Sequence, residues 1–142
     1  MLGDKLEKSG PLMNAIGVEG AVIVGGNPDG LFIYAEPDGG SVFLSVFRNE
    51  GDVVRYYPPT SELFDLVRAA WENESPDENM RWAVIEYEVS GTSFHVELRY
   101  PEELKSDEDA SDRREAALKR RYGDKPIVYP PIPDDLLELK RD

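Results

Sequence analysis

Cysteine is absent from the 142 residues, and histidine occurs once. Without thiols the chain makes no disulfide, no thiolate metal site and no cysteine nucleophile, and a single imidazole excludes a multi-histidine metal centre. Long apolar runs are missing too. Nothing approaches the ~18 apolar residues of a membrane span, and the opening MLGDKLEKSG lacks the apolar centre of a secretory signal. Basic residues are scarce, 16 against 29 acidic ones, for a net charge of −13. Such a surface repels nucleic acid and anionic lipid and attracts basic partners. These absences lead to the expectation of a cytoplasmic protein with no cofactor, no metal, and no nucleic-acid or membrane partner.

What is present suits one domain, residues 1–142, long enough to bury a sizeable core. Residues 1–17 form an N-terminal helical segment, with Ser9-Gly10-Pro11 as a start signal and Gly17 as a C-cap. The apolar GVEGAVIV run that follows has the length of a strand. GGNPDG then reads as a turn, not a phosphate loop, because it lacks a Lys-Ser/Thr step into a helix and leads instead into the β-rich Leu31-Phe32-Ile33-Tyr34. Two further strands, 41–47 and 52–57, are set off by Pro-Asp-Gly-Gly and Arg-Asn-Glu-Gly turns.

Residues 18–100 thus form a sheet with one inserted helix, 60–73. There Leu63, Phe64, Val67, Ala70 and Trp71 recur at helical spacing after a Thr60 or Ser61 cap. A helix over 106–122, capped by Ser106, has Asp107, Glu108 and Asp109 at its start and Lys119, Arg120 and Arg121 at its end, the polarity the helix dipole favours. A Pro-rich tail, 124–142, is too apolar to stay free and straps onto the domain or onto a second subunit, making a homodimer through the tail one option. The expected fold class is α+β: an antiparallel, meander-type sheet of about six strands packed against two or three helices.

The hairpin RWAVIEYEVSGTSFHVELRY carries the functional reading. With Ser90-Gly91 as its two-residue loop, Tyr87 opposes Phe94 and Ile85 opposes Val96 on an apolar face. The other face sets Trp82 across from Arg99, Val84 from Glu97, Glu86 from His95 and Glu88 from Ser93, and reads as wet and acidic. Between Glu72 and Asp112 there are thirteen acidic residues and only Arg81, Arg99 and Lys105 as counterweight. Either this is a solvated face that keeps the chain dispersed, or it is a docking face for a basic protein. The docking candidates are Trp82, Glu86, Glu88, His95, Glu97, Asp107, Glu108 and Asp109.

Chemistry at this face has weaker support. His95 beside Glu86 and Glu97 could serve as an acid or base, but no nucleophile adjoins it, and a cross-strand polar pair explains it as well. Glu86, Glu88 and Glu97 lack the Asp/Asn-Gly loop of a hard-cation site. Trp82 fits a cation–π cover, an interface anchor, or core if a helix covers it. The arginines of the last helix suggest RNA, yet the helix dipole accounts for half of them and the overall charge opposes it. No catalytic residue is assigned.

The element order, with Gly-Ser-Val-Phe-Leu at 40–44, a Phe-bearing helix at 61–71, Trp82, Gly91-x-x-Phe94, Tyr100 and Arg121-Tyr122-Gly123, resembles the YezG-like family over about residues 30–123. The resemblance implies an antitoxin or immunity protein that neutralises a toxin, commonly a nuclease, without catalytic residues of its own. Occlusion of a basic toxin is therefore the expected function. A small-ligand or regulatory module using a sheet–helix pocket is the alternative.

Overall fold

The computed structural model describes residues 2–130, with side chains from residue 9 onward. The elements are α1 (Leu2–Ile23), β1 (Leu31–Pro37), β2 (Val42–Asn49), β3 (Val54–Tyr57), α2 (Ser61–Glu74), β4 (Val84–Ser90), β5 (Ser93–Arg99), α3 (Ala110–Tyr122) and β6 (Ile127–Val128). Short 3-10 turns span Glu78–Met80 and Pro101–Glu103. The fold is α+β. Its six strands run in the order β5-β4-β1-β2-β3-β6, antiparallel except that β6 lies parallel to β3, so the sheet is not a strict meander.

Central strand β1 explains the layering. Leu31, Ile33 and Ala35 face one way and Phe32 and Tyr34 the other, and all five are fully buried. The first set joins Ile16 of α1 and Leu63, Val67 and Trp71 of α2 in the larger core. The second set packs under Ala117 and Leu118 of α3 together with Phe47, Val54 and Val84. A sheet with helices on both faces has no wet side at its centre. The expectation of a solvated acidic face is corrected here for β4: α3 covers Glu86 and engages Glu88, while His95 and Glu97 on β5 stay exposed.

The N-terminal segment is also corrected. Helix α1 does not stop at Gly17. It continues through Gly17 and Gly20 to Ile23, taking in the stretch expected to be a strand. The two glycines mark close approach, not a helix end. A Cβ on Gly17 would sit 2.5 Å from the Tyr87 hydroxyl, and one on Gly20 would collide with Leu31. Bare backbone lets the sheet side chains reach the helix, and the Tyr87 hydroxyl donates to the Met13 carbonyl at 2.7 Å. A single strand is thereby lost from the expected set, and β6, two residues of the tail, makes up the number. Residues 131–142 of the tail, with their leucines, lie outside the described residues.

Helix α2 starts where its sequence says, with the Thr60 hydroxyl accepting from the Leu63 N–H. The start of α3 moves. Its cap is Asp109, not Ser106, in a reciprocal capping box with Asp112, and Gly123 ends it at φ 61°. Thus Asp107 and Glu108 precede the helix instead of forming its first turn.

The β4–β5 hairpin turns on Gly91-Thr92, one residue later than expected. Ser90 pairs with Ser93, Glu88 with His95, Glu86 with Glu97 and Val84 with Arg99. Gly91 has φ 61°, and glycine as the first central residue is what a type II′ turn demands. Partners shift by two positions, so each residue keeps its face. Only Trp82 and its neighbour Ala83, ahead of the strand, change sides. Ala83 donates its N–H to the Arg99 carbonyl while Val84 is the register partner of the same Arg99, the two-against-one count of a bulge. That extra residue turns Trp82 into the larger core, where it is 2% exposed.

Candidate functional site

The sheet places Glu86 on central β4 and aims its carboxylate at α3. It is fully buried, and three arginines converge on it. Arg99 reaches Oε2 at 2.6 Å, Arg120 reaches Oε2 at 2.8 Å and Oε1 at 3.0 Å, and Arg121 donates from Nε to Oε1 at 3.1 Å. Burial pushes the Glu86 carboxyl upward, but Arg99 and Arg120, with hydrogen bonds from Arg99 and Arg121, outweigh it and hold the group below the ordinary glutamate value. It is therefore an anion locked by donors, unsuited to carrying protons.

Arg121 does more than close this cluster. Its second branch holds Glu88 at 2.7 Å, and its guanidinium lies 4.5 Å from the centre of the Phe32 ring. About two turns earlier in the helix, Arg113 grips Glu36 through two parallel bonds of 2.9 and 2.7 Å and gives a third donor to the Glu108 carbonyl. Such forked pairing is a geometry lysine lacks. Tyr34 completes the second cluster by donating to Glu36 at 2.6 Å; burial first, then this bond to a carboxylate, pushes its own ionisation up. The arginines of α3, read along the sequence as a dipole complement, are the cations that neutralise the acidic sheet face.

The eight expected docking residues consequently divide. Trp82 and Glu86 are buried, and their assignment to a wet face is withdrawn. For Trp82 the reading as core holds: its carbonyl accepts from the Trp71 indole at 2.9 Å, while the cation over an indole is Arg81 above Trp71. Glu88 is half-buried and tied to Arg121. The outer group is His95, Glu97, Asp107, Glu108 and Asp109. His95 and Glu97 side chains are 68% and 49% exposed, with Nε2 to Oε1 at 3.6 Å, too long for a hydrogen bond. Asp107 and Asp109 are exposed and Glu108 half-buried.

Glu102 and Glu103 belong with this outer group and were not singled out from the sequence. Both are exposed, in the 3-10 turn that directly follows β5, where Glu103 also accepts the Tyr100 N–H at 2.7 Å. From Glu102 to Asp109 the chain thus presents five carboxylates and one ammonium, Lys105, next to an edge strand. The signal was a simple one: acids in a segment with no apolar periodicity have nothing to turn them inward.

On the opposite side of the hairpin, Asn14, Gly17, Val18, Tyr87 and Phe94 line a groove of about 180 Å³ between α1 and the sheet. Among the described residues no group of three or more His, Asp or Glu is placed to hold a metal ion, and no helix is long and apolar enough to cross a membrane. No protein-family model matches the chain, and no curated protein matches it.

Proposed function

We propose that the chain is a non-enzymatic, acidic immunity or antitoxin-like protein, of the YezG-like kind its motifs resemble, that binds and blocks a basic toxin. The observation that supports this is the exposed acidic run from Glu102 to Asp109, flanked by Glu97. Because α3 turns Arg113, Arg120 and Arg121 onto Glu36, Glu86 and Glu88, those cations are engaged by the sheet. A nuclease domain must be basic enough to hold phosphates, so the same charge that attracts its substrate steers it onto this run. Blocking is by occlusion and requires no reactive group.

The test is titration of the chain into a basic nuclease domain encoded beside it, at low and moderate salt. Replacing Glu102 and Asp107 together by Lys, neither of which is paired inside the fold by an arginine, should weaken binding about tenfold or more and flatten its salt dependence. Unchanged affinity would remove this surface from the interface. The alternative of a small-ligand module has less to stand on, since the α1 groove is smaller than the roughly 300–1,000 Å³ usual for ligand sites.

A further inference from the structure

Strand β5 ends the sheet, with β4 on one side and, among the described residues, no strand on the other. Counting from the Ser90–Ser93 pair that closes the two-residue turn, hydrogen-bonded and open pairs alternate along the ladder. Ser93, His95, Glu97 and Arg99 therefore direct their N–H and C=O groups at β4. Phe94, Val96 and Leu98 direct theirs outward, away from the sheet. These outward groups are a template for another strand. Phe94 stands 45% exposed at this rim, and Val18 of α1, which lines the same groove, is 59% exposed.

We propose that a second copy of this chain pairs antiparallel along β5, about a two-fold axis through Val96, joining the two sheets into one. The sequence of the strand is self-complementary about that residue. Phe94 then faces Leu98 of the other copy, apolar against apolar, with their outward backbone groups in bonding register. His95 faces Glu97, an imidazole N–H donor against a carboxylate, and the two-fold makes that contact twice. The neighbouring registers are worse. Moving the axis to residue 95 sets His95 against His95, and moving it to residue 97 sets Glu97 against Glu97, which like-charge repulsion disfavours. The option of dimerising through the tail is not needed for this arrangement, because Ile127 and Val128 already pair with β3 of their own chain.

Sedimentation equilibrium on the full chain across a concentration series tests the proposal. The expected result is a reversible species of twice the chain mass. Val96→Pro deletes only an outward N–H, so β4–β5 pairing survives while the pair of chains dissociates; circular dichroism checks its fold. His95→Glu should weaken self-association by about fivefold to tenfold, the effect of two like-charge contacts across the axis. The exchange His95→Glu with Glu97→Lys should restore it, and it keeps the register testable even if the proline variant fails to fold. A wild-type chain that stays monomeric throughout, a dimer indifferent to both single variants, or an exchange that restores nothing overturns the proposal. Toxin binding is read separately, so loss of either result leaves the other standing.

Discussion

Arg121 holds Glu86 with one part of its guanidinium and Glu88 with another, linking two acids of one strand to a single residue of the covering helix. It is 13% exposed and rests on the Phe32 ring, so the pair sits where water competes poorly. Removing one partner of such a cluster costs more than the cluster contributes, because the other charges stay behind uncompensated.

Glu86→Ala therefore leaves Arg99, Arg120 and Arg121 facing one another across a void. The expected loss is about 3–5 kcal/mol, read as a lower midpoint in urea unfolding. Glu86→Gln, which keeps shape and one acceptor, should lose less. Any partner-binding deficit in a Glu86 variant would accordingly report unfolding and not a lost contact.

Acid should act through the same residue. The folded chain holds Glu86 below its ordinary value, so the unfolded chain binds the proton first as pH falls. The associated stability is fully present above the unfolded glutamate pKa and is lost as pH drops through the lower folded one. Chemical denaturation from neutrality down should show an acid limb starting near the ordinary glutamate range, and Glu86→Gln should flatten it. Parallel limbs in the two proteins would assign the acid sensitivity to other carboxylates.

At the base-side extreme, Tyr87 offers the opposite sign. Burial pushes its hydroxyl up to about 12, so the neutral form is favoured by folding, and its contribution disappears as pH rises from about 10 toward 12. Tyr87→Phe removes this contribution and the bond to Met13 for a cost of about 1 kcal/mol.

Gly17→Ala should cost more in the wild-type chain than in one that already carries Tyr87→Phe. The added Cβ meets the Tyr87 hydroxyl oxygen, so deleting that oxygen relieves the clash. A double-mutant cycle with a coupling of roughly 0.5–3 kcal/mol is the expected outcome, and strict additivity would mean the helix simply moves aside.

Asp109→Ala should lose about 1 kcal/mol with the α3 cap. Because Asp109 caps the helix that covers the sheet, it is a poor probe of docking. Glu102 and Asp107 carry charge of the same sign without that duty.

Helix α2 and the β4–β5 alternation were legible because each is set by local pattern: a capped 3.6-residue stripe in one, a period of two in the other. The end of α1 was not, since Val, Ile and Gly in GVEGAVI favour a strand or a stop by propensity, and only contact with Tyr87 and Leu31 reveals why the glycines are there. Turn chemistry did hold the hairpin register. Gly91 leading a type II′ turn points to Gly91-Thr92, whereas alternation alone fits both registers because a shift of two positions preserves the faces. Burial of Glu86 was hidden for a different reason. Its neutralising arginines Arg120 and Arg121 lie on α3, far downstream in the chain, so a charge sum over any one segment shows the acid without its partners.

The two rims of the sheet differ in kind. At the far rim the Pro126 carbonyl takes the Val54 N–H, and β6 follows with Pro130 soon after, a residue that has no donor to offer a newcomer. Strand β6 is also an end strand, but it offers only two residues, against seven in β5. A two-fold contact uses up the β5 rim of both copies, so association through that rim stops at a closed pair instead of growing into a fibre.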